Sequence, residues 1–309
     1  MTMQTSTSRF LEGALALGVI VLTPRVAFAQ ACCAGSSALT PGRLALHEDE
    51  LVGVQAHAST ATGAFDDKAS FTGTPNGVSD YEFEEDAFAA ARVFDRGQLA
   101  LLVPFVETAR RNPNESELGG GIGDVNLSVR YDLHLAGQSR WFPGIALLAG
   151  ETFPTGTSPN RAKHQLATDA TGTGAFQGNG GLALEQTFGP VLVQAATILA
   201  VRAPYSANGV NETLGPQLTT LFGAAYTFDN GVAIATSFTY TLDGSATING
   251  ETAQGSARHV ANVGLSGLLP LSDTLRLQGG VNFNPPWTPF GRNQSTTAGL
   301  VLGIIRSWS

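Results

Sequence analysis

The chain has 309 residues, of which 43% are hydrophobic and 14% charged, with 37 glycines and a formal net charge of −8 at pH 7. The charged fraction is well below the roughly 25% of soluble domains, and glycine is well above its usual share of about 7%. The apolar content argues against disorder, and the acidic balance argues against a nucleic-acid-binding protein. No apolar run of about 18 residues occurs beyond the N-terminus, which excludes a mature helical membrane protein. The composition therefore indicates an all-β chain.

Residues 1–29 have the pattern of an export signal. A polar start with Arg9 precedes an apolar stretch over residues 13–22, and Ala27-Phe28-Ala29 offers a small-residue cleavage site. A buried N-terminal helix is the alternative, but Pro24-Arg25 interrupts the apolar run. We therefore predict a signal peptide over residues 1–29 and export of the remainder.

The two cysteines of the chain, Cys32 and Cys33, are adjacent and follow directly after this segment. A disulfide framework is therefore not expected. Three interpretations stay open: lipidation of an N-terminal cysteine, a soft-metal or redox site with Cys32 and Cys33 as candidate ligands, and an incidental pair in a tail. Gln30 argues against lipidation, and the nearest histidine, His47, is distant in sequence. We predict that residues 30–50 form a flexible periplasmic segment.

From Leu51 onward the apolar residues recur with a period of two, which is typical of strands with one apolar face. Residues 125–133 show this most clearly, because Val, Leu, Val, Tyr and Leu alternate with Asn, Ser, Arg and Asp. Residues 232–242 and 275–283 have the same pattern. A helix cannot separate these two sets of residues.

The alternation predicts about twelve strands, with boundaries placed to within about three residues. The predicted strands span residues 51–61, 80–94, 98–107, 121–134, 141–152, 176–187, 191–202, 216–228, 232–243, 258–269, 274–284 and 297–308. Their connections alternate strictly between short turns and long loops, as they do in an up-and-down barrel. This alternation places both ends of the predicted sheet on the short-turn side.

An even number of long antiparallel strands with turns at one end is what a transmembrane β-barrel requires. Lipid offers no hydrogen-bond partner, so only a closed sheet satisfies its own backbone. A soluble β-sandwich is the alternative, but the predicted strands exceed its usual length of about 5–6 residues. The last strand alternates apolar residues and ends near Trp308, which resembles the insertion signal of outer-membrane barrels. We predict such a barrel over residues 51–309, with short periplasmic turns and long extracellular loops.

If the more apolar face of each strand meets lipid, the other face lines the lumen. The polar residues that we assign to the lumen are Glu82, Glu84, Asp86, Arg92, Asp124, Asn126, Arg130, Asp132, Glu185, Arg202, Arg276 and Gln278. They are expected to form either a charge-paired constriction that selects solutes or a structural network that fills the barrel. Small residues on the same face, such as Gly53 and Ala183, favour a passage.

Two short motifs suggest a family. The strand opening Gly121-Ile122-Gly123-Asp124 and the turn Phe153-Pro154-Thr155-Gly156 resemble motifs of the outer-membrane proteins grouped under the meta-pathway of phenol degradation, a transporter-like family. The start Cys32-Cys33-Ala34-Gly35 is similar to cysteine-rich N-termini of some relatives from Gram-negative bacteria. The resemblance implies an outer-membrane channel or uptake protein for aromatic or other hydrophobic compounds. It implies no catalytic residues.

Motifs for enzyme chemistry are missing from the sequence. The five histidines are isolated, and neither Gly-x-Ser-x-Gly nor a glycine-rich phosphate loop occurs. We therefore predict a protein without catalytic activity or cofactor, located in the outer membrane of a Gram-negative bacterium. Its partners would be a small solute, which diffuses passively through the lumen, and outer-membrane lipid, with no nucleic acid. The alternative is a plugged structural or sensing barrel whose N-terminal cysteines or loops bind a metal or a partner.

Overall fold

The computed structural model describes residues 43–309, most of which lie in one antiparallel sheet that closes on itself. Its strands are β1 Glu50–Phe65, β2 Ser79–Val93, β3 Gly97–Arg111, β4 Ser116–Ile122 continuing as Val125–His134, β5 Gly144–Phe153, β6 Gln177–Phe188, β7 Val191–Arg202, β8 Gln217–Thr227, β9 Ala233–Asp243, β10 Arg258–Pro270, β11 Leu275–Phe283 and β12 Gln294–Trp308. Each strand pairs with the next one along the chain, and β12 pairs with β1. The predicted twelve-stranded antiparallel barrel is confirmed.

The seam between β1 and β12 closes the barrel. The two strands pair from Glu50 opposite Trp308 to Phe65 opposite Gln294, with one register shift between Ala61 and Gly63. An open sheet would leave a row of unpaired N–H and C=O groups at each edge, and each such group costs several kcal/mol in hydrocarbon. The seam removes both edges.

The outer surface of the barrel is apolar. Leu300 and Leu302 on β12 are 62% and 60% exposed, and comparable side chains occupy the outward positions of the other strands. In a water-soluble sheet these residues would cover a core, whereas here they face the surroundings, as in a transmembrane barrel. Three carboxylates, Glu85, Glu107 and Glu151, also occupy exposed positions opposite outward-facing residues and are exceptions to this pattern.

Four of the five turns at one end of the barrel have two to five residues, whereas five of the six connections at the other end have ten or more. The turns comprise residues 94–96, 135–143, 189–190, 228–232 and 271–274, and the connections at the opposite end comprise residues 66–78, 112–115, 154–176, 203–216, 244–257 and 284–293. Gly231 illustrates the turn chemistry, because its φ of +81° is strained for a residue with a Cβ. The sheet begins and ends on the turn side, as predicted.

The structure differs from the predicted boundaries around residues 108–120. This stretch was expected to be a long loop, but β3 continues to Arg111 and β4 begins at Ser116. The run Gly119-Gly120-Gly121 conceals the alternation, since glycine has no side chain to reveal a face. Gly120 is required by close packing, because a Cβ there would lie 2.4 Å from the carbonyl oxygen of Val106.

A second difference concerns the start of β5, which is Gly144 and not residue 141. The Oγ of Ser139 accepts hydrogen bonds from the N–H groups of Trp141 and Phe142. These contacts hold residues 139–142 in a turn, so the aromatic pair that looked like the beginning of a strand belongs to the connection.

The longer connections carry a second, small sheet. It consists of Tyr205–Ala207, Val210–Thr213, Thr247–Ile248 and Glu251–Thr252. Phe71–Gly73 pairs with β1, Gly291–Arg292 pairs with β10, and Pro159–Arg161 forms a 3-10 turn. Within residues 43–309, no helix has the length and apolar character needed to cross a bilayer.

Closure of the barrel can be tested with a disulfide across the seam. Val54 on β1 lies directly opposite Ile304 on β12, and opposed residues have Cβ atoms about 4.5–5.5 Å apart, near the range of a disulfide. In a background with Cys32→Ser and Cys33→Ser, we expect Val54→Cys/Ile304→Cys to oxidise to a crosslinked form, visible as a mobility shift under denaturing, non-reducing electrophoresis. The pair Val54→Cys/Ile234→Cys joins β1 to β9, two strands that are not neighbours, and should remain reduced. Equal crosslinking of the two pairs would contradict a closed barrel in this register.

Candidate functional site in the barrel lumen

The inward faces of the strands enclose two cavities of different chemistry. The first has a volume of about 440 Å³, and its polar lining includes Gln55, His57, Glu84, Asp86, Asn262, Gln278 and Asn282. The second has a volume of about 330 Å³, and its polar lining includes Arg43, Gln98, Asn126, Arg130, Gln177, Glu185 and Gln194. We call them the acidic cavity and the arginine cavity. Leu102 on β3 borders both.

Residues 43–49 precede β1 and pack inside the turn end of the barrel, so we call them the N-terminal latch. Leu44 and Ala45 are 6% and 2% exposed. Leu44 joins a cluster with Phe88 and Ile305, and Ala45 joins another with Leu192. The sequence placed this stretch in a flexible periplasmic segment over residues 30–50, whereas its described part is packed against the lumen wall.

One end of the latch is fixed by charges in the arginine cavity. The guanidinium of Arg43 makes a bidentate pair with the carboxylate of Glu185. Arg130 contacts the same carboxylate at 3.2 Å and Asp132 at 2.7 Å. Glu185 is 4% exposed, and removing one partner of such a buried pair typically costs about 3–5 kcal/mol. The latch is therefore held at this point by a compact charge network.

The other end of the latch is fixed by Glu48 and by its own backbone. Glu48 Oε1 lies 2.8 Å from Arg276 Nη1, and both side chains are buried. Arg92 donates hydrogen bonds to the carbonyl oxygens of Ala45 and Glu48, and Gln98 Oε1 accepts the N–H of Leu44 at 3.0 Å. Strands β2, β3, β6, β7, β11 and β12 thus contribute contacts to this segment of seven residues, which lies inside the turn end of the lumen.

The carboxylates of β2 have a different environment. Gln55 Nε2 donates to Asp86 Oδ2 at 2.8 Å, and Gln278 Nε2 donates to Gln55 Oε1 at 2.9 Å. His57 Nε2 lies 3.4 Å from Asp86 Oδ2. Glu84 borders the acidic cavity next to this group. The contacts of these carboxylates with described residues come from amides and an imidazole, and not from guanidinium groups.

A further charge cluster lies where the lumen meets the longer connections. Arg202 Nη1 lies 3.1 Å from Asp243 Oδ1, and Arg258 Nη2 lies 3.0 Å from Asp243 Oδ2. Arg202 also donates to Gln177 Oε1 at 2.8 Å and to the carbonyl oxygen of Gly215 at 3.0 Å. This cluster ties the ends of β6, β7, β9 and β10 together above the arginine cavity.

Asp124 lies at a β-bulge and not in either cavity. Between Ile122 and Asn126, β4 advances four residues while β3 advances three, from Phe105 to Leu102, so one residue is extra. Asp124 Oδ1 accepts the N–H of Gly156 at 3.0 Å, and Oδ2 accepts the N–H and Oγ1–H of Thr173. Its carboxylate therefore holds the connection over residues 154–176.

The two sequence motifs meet at this bulge. Thr155 Oγ1 donates to the carbonyl oxygen of Gly123 at 2.6 Å and accepts the N–H of Val125 at 3.0 Å. Gly172 must be small, because a Cβ there would lie 2.2 Å from Asp124 Oδ1. The Gly-x-Gly-Asp and Pro-Thr-Gly motifs thus form one structural clamp between β4 and the connection after β5.

The same connection is tied to its neighbours. Arg161 Nη2 donates to the carbonyl oxygen of Ser206 at 3.1 Å, and the Tyr205 hydroxyl donates to Glu212 Oε2 at 2.8 Å. Burial, reinforced by the bond to Glu212, raises the pKa of Tyr205 to about 12. The backbone N–H of Lys163, followed by other N–H donors, lowers the pKa of Asp169. The connections therefore form a joined layer at this end.

The predicted lumen residues fall into several groups. The acidic cavity brings together Glu84, Asp86 and Gln278, and Glu82 precedes Glu84 on the same face of β2. The arginine cavity brings together Asn126, Arg130 and Glu185, and Asp132 pairs with Arg130. Arg92 and Arg276 contact the latch, Arg202 joins the Asp243 cluster, and Asp124 lies apart at the bulge. The candidate metal ligands Cys32 and Cys33 lie outside the described residues. Within residues 43–309, no cluster of three or more His, Cys, Asp or Glu residues could hold a metal ion.

Sequence reasoning missed the latch. Arg43 and Glu48 precede the first strand, and no periodic pattern marks their positions as inward. Asp243 was also missed, because it is the last residue of β9, where the alternation ends. In each case the only sequence signal is a charge in an otherwise charge-poor chain.

Comparison with solved structures identifies the architecture. The crystal structure of the COG4313 outer membrane channel from Pseudomonas putida F1 superposes with a TM-score of 0.72 at 14% identity, covering 86% of this chain and 97% of that chain. The translocator domain of the autotransporter NalP from Neisseria meningitidis gives 0.47 at 12% identity, over 84% and 88%. The TodX monoaromatic hydrocarbon channel gives 0.45 at 10% identity, over 85% and 91%. No protein-family model and no curated protein matches the sequence.

The first of these similarities shows that this chain shares the barrel fold of that outer membrane channel. It extends over nearly the whole of the other chain, so the likeness includes the complete barrel. The two other similarities are weaker and add nothing to the argument.

The clamp at the bulge predicts how the connection after β5 responds to mutation. Asp124→Ala removes three hydrogen bonds to a carboxylate, each typically worth about 1.5–3 kcal/mol. We expect the exposed bonds after Arg161 and Lys163 to be cut by trypsin at least about tenfold faster in the folded protein. Asp67→Ala is the matched control, because the side chain of Asp67 makes no hydrogen bond with the described residues. Unchanged cleavage of Asp124→Ala would show that the clamp is unimportant.

Proposed function

We propose that the protein is an outer-membrane channel or uptake protein for small solutes, through which solutes diffuse without an energy source. One observation carries the proposal: a closed barrel with an apolar exterior surrounds two cavities of about 440 and 330 Å³ whose walls include polar groups. A barrel that served only as an anchor would gain nothing from such space, because protein interiors are ordinarily packed without large voids. The proposal includes no catalytic step.

The same physics supports a location in the outer membrane. The outward side chains are apolar along the strands, and closure satisfies the backbone without water. Lipid is therefore the proposed surrounding partner. The short turns would face the periplasm and the joined layer of connections would face the exterior.

The N-terminal latch would control passage at the periplasmic end. Beyond its peptide link to β1, it is attached to the wall by ion pairs and hydrogen bonds of Arg43, Leu44 and Glu48. Solutes that enter from the exterior would reach the cavities first. Full passage would then require the latch to move or to leave a path beside it.

The solute class has two sources of support. The sequence motifs point to aromatic or other hydrophobic compounds. The linings combine apolar side chains with carboxylate and amide groups in both cavities and with guanidinium groups in the arginine cavity. Polar walls recognise polar groups, since each buried polar atom needs a partner. We therefore propose solutes that carry at least one polar or charged group, with an aromatic or aliphatic portion permitted.

A second candidate function is favoured by the latch itself. If the latch never leaves the lumen, the barrel is a plugged structural or sensing protein, and Cys32-Cys33 would bind a metal or a partner in front of the latch. Replacing both cysteines by serine discriminates between the two. A channel should keep its conductance, whereas a sensor should lose its response to the metal or partner.

The latch predicts a specific change in conductance. Arg43→Ala/Glu48→Ala removes the ion pairs with Glu185 and Arg276 and leaves, among the described residues, only that between Asp49 and Arg92, so the latch should loosen. We expect single-channel conductance in planar bilayers, and the swelling rate of liposomes in small sugars, to rise about threefold or more, because the pore cross-section increases.

Leu46→Ala is the matched control, because Leu46 belongs to the same segment but is 64% exposed. It should behave as the unmodified protein. A refolded protein that shows neither channel events nor liposome swelling, with or without the latch substitutions, would overturn the proposed function.

A further inference from the structure

Three carboxylates line up on the inner face of one strand. Glu82, Glu84 and Asp86 alternate with outward residues on β2 and stand opposite Ser59, His57 and Gln55 of β1. Residues two apart on a strand lie roughly 6.6–6.8 Å apart. The three side chains therefore form a ladder of carboxyl groups along the lumen wall.

This ladder differs from every other charge cluster described in the lumen. Arg130, Arg202 and Arg276 lie 2.7, 3.1 and 2.8 Å from carboxylates of Asp132, Asp243 and Glu48. Within residues 43–309, no arginine or lysine lies within 4.0 Å of Glu82, Glu84 or Asp86. The guanidinium groups of Arg130, Arg202 and Arg276 are thus engaged elsewhere, and the ion-pair neighbour of the β2 carboxylates among these residues is the imidazole of His57.

Asp86 is the residue that points to a ligand. Its side chain is 4% exposed. Its Oδ2 accepts the bond from Gln55, whereas its Oδ1 has no hydrogen-bond partner among the described residues. Gln278 occupies the oxygen of Gln55, which turns the Gln55 amino group toward Asp86. The buried carboxylate of Asp86 is therefore oriented by Gln55, and its Oδ1 remains without a hydrogen-bond partner from residues 43–309 at the acidic cavity.

The rest of the acidic cavity suits a cation. The wall opposite β2 offers the hydroxyls of Ser237 and Thr239 and the amides of Asn262 and Asn282. None of the described residues that line this cavity is a lysine or an arginine. Negative charge on one wall and neutral acceptors on the other favour a positively charged solute over an anion or a neutral one.

We infer that the acidic cavity binds a small organic cation with N–H donors, such as a primary ammonium group, with Asp86 Oδ1 and the Glu84 carboxylate as its acceptors. This inference deepens the proposed channel function by naming a solute class and rests on it for transport, although binding itself needs no flux. A bare metal ion fits less well. Metal ions need several oxygens at about 2.0–2.6 Å from one point, whereas carboxylates spaced along a strand suit a larger cation.

Binding can be measured on the full mature chain refolded in detergent. The probe is butylammonium at pH 7, compared with butan-1-ol and butyrate by titration calorimetry. We expect butylammonium to bind, and the two other compounds, which share its alkyl chain, to bind at least about tenfold more weakly. Binding of butan-1-ol as tight as that of butylammonium would overturn the inference, since it would show that charge is not recognised.

The variants Asp86→Asn and Glu84→Gln keep side-chain size and replace one carboxyl group each. We expect each to weaken butylammonium binding about tenfold or more. The matched control is Glu107→Gln, which removes the same charge from an exposed position on the adjacent strand β3. Far-ultraviolet circular dichroism would reveal whether each variant folds. If one variant fails to fold, the other still tests the inference. Affinities within about twofold of the unmodified protein for both folded variants would overturn the inference.

Bilayer recordings separate the inference from the proposed function. In a KCl gradient, the channel should prefer K⁺ over Cl⁻, and Asp86→Asn should reduce that preference while Glu107→Gln should not. Binding of butylammonium without any conductance would leave the cation site standing and overturn the channel. Conductance without a cation preference that depends on Asp86 would leave the channel standing and overturn the cation site.

Discussion

A backbone in hydrocarbon must satisfy its hydrogen bonds internally, and this constraint shapes the whole molecule. It requires a closed sheet, so β1 and β12 must pair along their full length. Closure fixes which face of each strand is inside. With the faces fixed, the apolar side chains point outward from the barrel. Many of the charged side chains of this charge-poor chain point inward and line the lumen. The lumen chemistry is a consequence of the seam.

Inside this space the charges serve two purposes. Most are paired: Glu185 joins two guanidinium groups, and Asp243 joins two others. Such networks cost desolvation energy and are retained where they fix one arrangement, here the latch and the strand ends. The β2 carboxylates lack this compensation, which is the feature expected of a wall that meets a solute. The lumen thus combines a structural half and a candidate binding half.

Much of this architecture is predictable from the sequence, and the exceptions have physical reasons. Strands such as β9 and β12 are evident because each has one apolar face, and the same alternation assigns Glu84 and Asp86 to the interior. The first part of β4, Ser116–Ile122, is not predicted, because its three consecutive glycines have no side chains to show an alternating pattern. Asp124 was assigned to the lumen by alternation, but the bulge beside it breaks the period of two. The position of the latch is not predicted, because its seven residues have no regular secondary structure and are held by contacts with residues distant in sequence.

The contacts of the latch also order the events of assembly. Its partners include Phe88 on β2, Glu185 on β6, Arg276 on β11 and Ile305 on β12, and the N–H of Asp49 donates to the carbonyl oxygen of Trp308. No partial barrel contains this set. The full set of latch contacts therefore forms only after the last strand has paired, which couples seating of the latch to completion of the wall.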